Sequence, residues 1–187
     1  EIRRGRKSPV LVGILGCMAT NFKTDLLDNK ALKIDFIAGP DSYKHLPRLI
    51  SEASCGQKTF DVTLSEFETY SDIDPTRQTG PNAWIAIMRG CNNYCTFCVV
   101  PYTRGEEISR PLDDIITEII QLTLQGASEI ILLGQNVNGY RGLMSNGKIA
   151  NFASLIEYIS EIEEVKRIRF TTSHPNEMND HLIDCFG

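Results

Sequence analysis

The chain has 187 residues, enough for one large domain or two small ones, and its 42% hydrophobic and 23% charged residues describe an ordinary globular protein. No apolar run is long enough to cross a membrane as a helix. A net charge of −5 excludes a generally basic nucleic-acid-binding surface, and six cysteines without a leader pattern point to a reducing, cytoplasmic setting where thiols stay available to metal.

The basic runs Arg3-Arg4-Gly5-Arg6-Lys7 and Lys166-Arg167-Arg169 read as solvated surface. Val10 to Leu15 reads as a buried strand ending at Gly16-Cys17, and a polar helix follows from Lys23 to Asn29. Ile34 to Ile37 is a second strand. Asp41 opens a helix through Leu46, Leu49 and Ile50, which Pro47 kinks or delays. This alternation predicts an incomplete parallel, Rossmann-like N-terminal domain over 1–64. Periodicity fades from residue 54, apart from an edge strand near Phe60 to Leu64, and 65–83 is expected to be a linker.

From Trp84 the rhythm is clearer. Trp84 to Met88 is a strand, and a cysteine-rich loop leaves its C-terminal end. Pro111 suits the first turn of a helix whose dipole Asp113 and Asp114 favour. Ile115, Ile116, Ile119, Ile120 and Leu122 form its apolar face, and Gly126 stops it. Glu129 to Leu133 is a strand, Phe152 to Glu164 a helix, Arg167 to Thr172 a strand and Glu177 to Phe186 a helix. Three strand–helix units over 84–187 predict a parallel sheet curling into a partial (β/α) barrel, with its chemistry at the C-terminal strand ends. Those ends lead into Cys91, Cys95 and Cys98, into Gly134-Gln135-Asn136-Val137-Asn138, and into Ser173-His174-Pro175.

Cys91, Cys95 and Cys98 form a C-x3-C-x2-C run that places three thiolates on one tight loop. Iron–sulfur clusters usually take four thiolates, so three would leave one iron open to an exchangeable ligand. Zinc more often uses paired C-x2-C or C-x4-C hooks and four protein ligands. Its fourth ligand here would be the distant Cys17, Cys55, Cys185 or His174. A disulfide framework suits short secreted chains. The spacing favours iron–sulfur ligation.

The stretch from Cys91 to Arg110, CNNYCTFCVVPYTRGEEISR, with Pro111 after it, resembles the radical S-adenosylmethionine (SAM) loop of the methylthiotransferase family. Gly16-Cys17-Met18-Ala19, Ala38-Gly39-Pro40-Asp41 and Leu46-Pro47-Arg48-Leu49-Ile50 are similar to that family's N-terminal domain. Leu132 to Asn138 and Thr171 to Pro175 look most like its tRNA-modifying branch. The resemblance implies a transferase with two 4Fe–4S clusters and SAM. SAM would chelate the open iron of the cluster held by Cys91, Cys95 and Cys98, and one electron would release a 5′-deoxyadenosyl radical. Cys17 would ligate the auxiliary cluster, the source of the inserted sulfur, whose other ligands the family places upstream of this chain.

By the same resemblance Phe97 contacts the adenine of SAM through its backbone, and Gln135 and Asn136 bind the methionine end. Ser173 and His174 share the rim where SAM or substrate would lie, and Arg104 and Arg110 would counter cluster, carboxylate or phosphate charge. Plainer readings stand beside these. Phe97 would shield the cluster, Gln135 and Asn136 would brace a strand-end turn, and His174 would be a satisfied turn residue. Arg104 and Arg110 would form surface ion pairs, and Cys17 would be a small hydrophobe.

The implied substrate is N6-isopentenyladenosine beside the tRNA anticodon, converted to its 2-methylthio derivative after the base is unstacked from the anticodon stem-loop. An electron donor is implied, no membrane is involved, and most RNA affinity is expected in a C-terminal domain beyond the chain. The chain is then the central part of a longer enzyme and inactive alone. One rival reading is a methylthiotransferase for an aspartate of a ribosomal protein, which Gln135 to Asn138 and Asn92-Asn93 disfavour. Another is a non-enzymatic iron–sulfur or zinc module with four protein ligands. His45 and His181 fall on expected helices with no functional assignment, and Cys55 and Cys185 match no ligand position of the family.

Overall fold

The computed structural model describes residues 10–65 and 80–186, so the basic run near the start and most of the expected linker lie outside the described residues. The chain divides into two compact units, whose described parts are 10–65 with 93–105 and 80–92 with 106–186. Both are mixed α/β with parallel sheets.

In the first unit, β1 (Gly13–Leu15), β2 (Phe36–Ala38) and β3 (Thr59–Asp61) form a parallel sheet in that order. Helices α1 (Cys17–Phe22), α2 (Thr24–Asp28), α3 (Leu46–Ser54) and α4 (Val100–Arg104) complete it. The expectation of a buried first strand is corrected: β1 lies at a sheet edge, begins at Gly13, and leaves Leu15 46% exposed. The central strand β2 is buried at all three residues instead. Gly13 sits against the ring of Phe36, where a Cβ would come within 2.3 Å of Cζ, so a larger residue would have to displace that ring. Pro47 does not kink its helix. A 3-10 turn at Pro40–His45 comes first, and α3 starts at Leu46, so Pro47 falls in the first turn where its missing N–H is no loss. Leu49 and Ala53 of α3 pack on Phe36 and Ala38.

In the second unit, β4 (Asn82–Ala86) is followed by the antiparallel pair β5 (Met88–Arg89) and β6 (Ile108–Ser109), then by α5 (Leu112–Leu124) and β7 (Glu129–Leu133). A hairpin of β8 (Arg141–Leu143) and β9 (Ile149–Asn151) precedes α6 (Phe152–Ser160), β10 (Arg167–Phe170) and α7 (Asp180–Asp184). The parallel sheet runs β10-β7-β4. Ile85, Leu132 and Phe170 stand side by side on one face, and Ile115 and Ile119 of α5 with Leu155 and Ile159 of α6 belong to the same core. Each such fully buried Leu or Ile contributes about 1.5–3 kcal/mol. On the other face Glu129 pairs with Arg169 at 3.0 Å and with Arg167 at 3.4 Å, so part of the basic run is tied to the neighbouring strand.

Helix ends follow local chemistry. After α5, the Ala127 N–H donates to the Leu122 carbonyl and that of Gly126 to Thr123, with Gly126 at φ 94°, a Schellman stop. α6 ends at Ser160 rather than Glu164, because Glu161, Glu163 and Glu164 crowd the negative end of its dipole. Asn151 caps α6 through Ser154 N–H, and Asn179 caps a shorter α7 than expected through Leu182 N–H. Among the described residues no helix is long and apolar enough to cross a membrane.

Candidate functional site

In the second unit the C-terminal ends of β4, β7 and β10 face one way, because the strands are parallel. β4 stops two residues before the expected Met88. Ile87 N–H still donates to the Leu133 carbonyl at 2.9 Å, but Met88 and Arg89 then roll over to pair with Ser109 and Ile108. The Gly90 N–H donates to Gln135 Oε1 at 2.8 Å, which pins the root of the cysteine loop to the turn after β7. Cys91 follows directly and is buried.

Asn136 and Asn138 are both 3% exposed on the turn after β7. Asn138 clamps the turn after β10 with two backbone bonds, its Nδ2 donating to the His174 carbonyl and its Oδ1 accepting from the His174 N–H, each at 2.8 Å. The His174 ring in turn accepts from Asn176 N–H at 3.3 Å, so the histidine braces its own turn, while Ser173 is exposed beside it. Asn136 Nδ2 donates to Glu107 Oε2 at 3.2 Å, and the Glu107 N–H donates to Asn92 Oδ1 at 3.1 Å. Asn136 Oδ1 is buried with no hydrogen-bond partner among the described residues. Thus three hydrogen-bonded sets, Gly90 with Gln135, Asn92 with Glu107 and Asn136, and Asn138 with His174, occupy the strand ends.

Glu107 carries no site signal of its own in the sequence. Burial holds its carboxyl above the ordinary value of 4.5, and Glu177 adds to this, against the Asn136 hydrogen bond and Arg141. A carboxyl raised on folding binds its proton more tightly in the folded state. Its contribution is therefore present below pH 4.5 and lost as pH rises through the raised value. Glu107→Gln is expected to melt progressively higher than wild type as pH goes from 4 to 7, by thermal denaturation; a constant difference would refute this.

Arg110 is also buried, but it answers to structure. Its Nη1 donates to the Ala86 carbonyl at 2.7 Å and to Glu118 at 2.8 Å, and its own carbonyl accepts from the buried Tyr140 hydroxyl. The plainer sequence reading expected a surface ion pair; the pair with Glu118 is instead largely buried on the Arg110 side.

In the first unit, Cys95 and Cys98 lie on a loop that leads into α4, and the Cys98 N–H donates to the Cys95 carbonyl at 2.9 Å. Phe97, between them, is 91% exposed, and Tyr94 meets Tyr102 edge-on nearby. Cys17 opens α1, and Arg104 at the end of α4 donates from Nε to its Sγ at 2.9 Å. Arg104 thus reaches the Cys17 thiol.

The Radical SAM superfamily profile matches residues 85–184. The chain belongs to this superfamily. Among curated relatives it is similar to "tRNA-2-methylthio-N(6)-dimethylallyladenosine synthase" of Chromobacterium violaceum, at 49% identity over 95% of this chain and 40% of that protein. Proteins of the same name from Methylobacillus flagellatus and Nitrosomonas europaea are 50% and 45% identical, over 97% and 98% of this chain and 41% of each of them. The chain thus spans about 40% of the length of these relatives.

Radical SAM membership brings a 4Fe–4S cluster and SAM as cofactors, and this chain's residues fit both. Cys91, Cys95 and Cys98 are in no disulfide and offer soft sulfur donors of the kind such clusters take. Asn136 Oδ1 is a buried acceptor with no hydrogen-bond partner among the described residues, an unmet hydrogen-bonding capacity at the strand ends.

Proposed function

We propose that the chain is part of a tRNA methylthiotransferase that adds a methylthio group to C2 of N6-isopentenyladenosine beside the anticodon. What carries this reading is the C-x3-C-x2-C loop, rooted by Gly90 at the strand ends, in a chain 45–50% identical along nearly its whole length to relatives named for that product. Residues 84–187 are the start of a partial radical-SAM barrel, 1–64 belong to a Rossmann-like domain, and 65–83 join them.

Cys91, Cys95 and Cys98 hold the cluster, which when bound supplies the electron that cleaves SAM. Gln135 and Asn136 receive the methionine end of SAM, with Phe97, Ser173 and His174 around the cofactor. Of these, Gln135 has a second duty, since its amide oxygen already orders the loop root. Cys17 contributes one thiolate to a second 4Fe–4S cluster, and Arg104 Nε already donates to its sulfur. The substrate is a tRNA anticodon stem-loop held largely by other parts of the full-length protein, and an electron donor of the cytoplasm completes the system.

The full-length protein, reconstituted anaerobically with iron, sulfide, SAM and a reductant, tests this against tRNA carrying isopentenyladenosine and against ribosomes. The expected product is the 2-methylthio nucleoside in digested tRNA. A methylthio group found only on a ribosomal protein would replace this reading with its nearest rival.

A further inference from the structure

We propose that Glu157, His181 and Cys185 bind one zinc-class divalent cation at a site distinct from the cysteine loop. All three belong to the second unit. Glu157 projects from α6, while His181 lies in α7 and Cys185 is its C-terminal cap. His181 and Cys185 are four residues apart in helical backbone, which sets their side chains one above the other on the same face. That face meets Glu157. One ligand atom from each residue, a sulfur, a ring nitrogen and a carboxylate oxygen, lies within 4.8 Å of the other two. His181 Nε2 and Glu157 Oε1 are already 2.8 Å apart.

Tetrahedral zinc with Zn–S near 2.3 Å and Zn–N and Zn–O near 2.0–2.2 Å requires its ligand atoms to stand roughly 3.3–3.8 Å from one another. The three groups therefore need only small side-chain shifts to embrace an ion. The donor set also discriminates. A thiolate with an imidazole suits zinc or cobalt, while magnesium and calcium prefer oxygen alone.

The scaffold is ordered around the site. Asn179 caps α7, and Cys185 packs against the core, its thiol directed to the His181 carbonyl at 3.3 Å, with the Ala153 carbonyl of α6 at 4.0 Å. The side chains of Glu157 and His181 are 54% and 46% exposed, which leaves an entry path. Three protein ligands leave one position for water or a further group. Bound there, the ion cross-links α6 to α7 across the segment that carries β10 and the turn at His174. Its binding free energy then adds to the stability of that corner. A bare exposed His–Glu pair would contribute only about 0–1 kcal/mol.

The test is equilibrium dialysis of the reduced full-length protein in a zinc buffer, comparing wild type, His181→Ala, Cys185→Ser and the double variant. Zinc bound elsewhere, at the cysteine loop for instance, is common to all four and cancels. Each single variant is expected to hold one equivalent less than wild type, and the double variant no less than either single one, because both remove the same ion. Equal zinc in all four, or losses that add, would overturn the site. Glu157→Gln, at an exposed position, keeps the proposal open to refutation should Cys185→Ser fail to fold. It is expected to weaken zinc binding at least tenfold and to reduce the zinc-induced rise in Tm. An unchanged affinity would mean that the trio is only a surface ion pair beside a packed thiol.

Discussion

Cys95→Ala in the full-length protein is expected to reduce SAM cleavage to background, measured as 5′-deoxyadenosine released under a strong reductant. The variant should also lose about one cluster's worth of iron after reconstitution, visible without any turnover. The argument is one of ligand number. Three thiolates are already one short of the usual four, and two leave half the corners of a 4Fe–4S core without protein support. Disturbing partners outside the ligand set typically costs about 10–100-fold in metal affinity, so loss of a ligand itself should exceed that. Cys55→Ala is the matched control, since Cys55 is exposed at the end of α3 and belongs to no proposed ligand set. Wild-type iron content and SAM cleavage in Cys95→Ala would remove the cysteine loop from the chemistry.

Much of the second unit was legible in the sequence. Ile85, Ile130 and Leu132 carry the apolar pattern of a sheet, and Ile115 and Ile119 recur at helical spacing, so strand and helix order could be read before register. What escaped was short or tertiary. α1 and α4 have six and five residues, too few to show a helical period, and the β8–β9 hairpin hides apolar positions among Gly and Asn. Its one clear signal was Ser145-Asn146-Gly147, with Gly147 at φ 79°.

The site was legible in the same uneven way. A fixed spacing within one loop announces Cys91, Cys95 and Cys98. Glu107 becomes notable only because Asn136, from a different strand end, reaches over it. The Glu157–His181–Cys185 group likewise exists only once α6 and α7 meet, which is why His181 and Cys185 carried no assignment by themselves. Arg104 and Arg110 show the limit of reading charge alone. Near neighbours in sequence, they reach a thiol and a half-buried carboxylate with a backbone carbonyl respectively.

Cys17→Ala in the full-length protein is expected to abolish methylthiolated tRNA while leaving SAM cleavage at near wild-type rate. Cys17 sits at the first turn of α1 in the first unit, beside the Arg104 guanidinium, while Gln135, Asn136 and Asn138 belong to the second unit. Removing its thiol takes a ligand from the proposed sulfur-donating cluster without touching Cys91, Cys95 or Cys98. Iron content should fall by one cluster, as in Cys95→Ala, yet 5′-deoxyadenosine should still form. The two variants thus have the same iron deficit and opposite SAM-cleavage behaviour. A single-cluster enzyme cannot produce that pair of results, because any cysteine whose loss removes its only cluster must also stop cleavage. Methylthiolated tRNA at wild-type level in Cys17→Ala would reduce Cys17 to a small side chain hydrogen-bonded to Arg104, and a joint loss of cleavage and product would assign it to the same cluster as the loop.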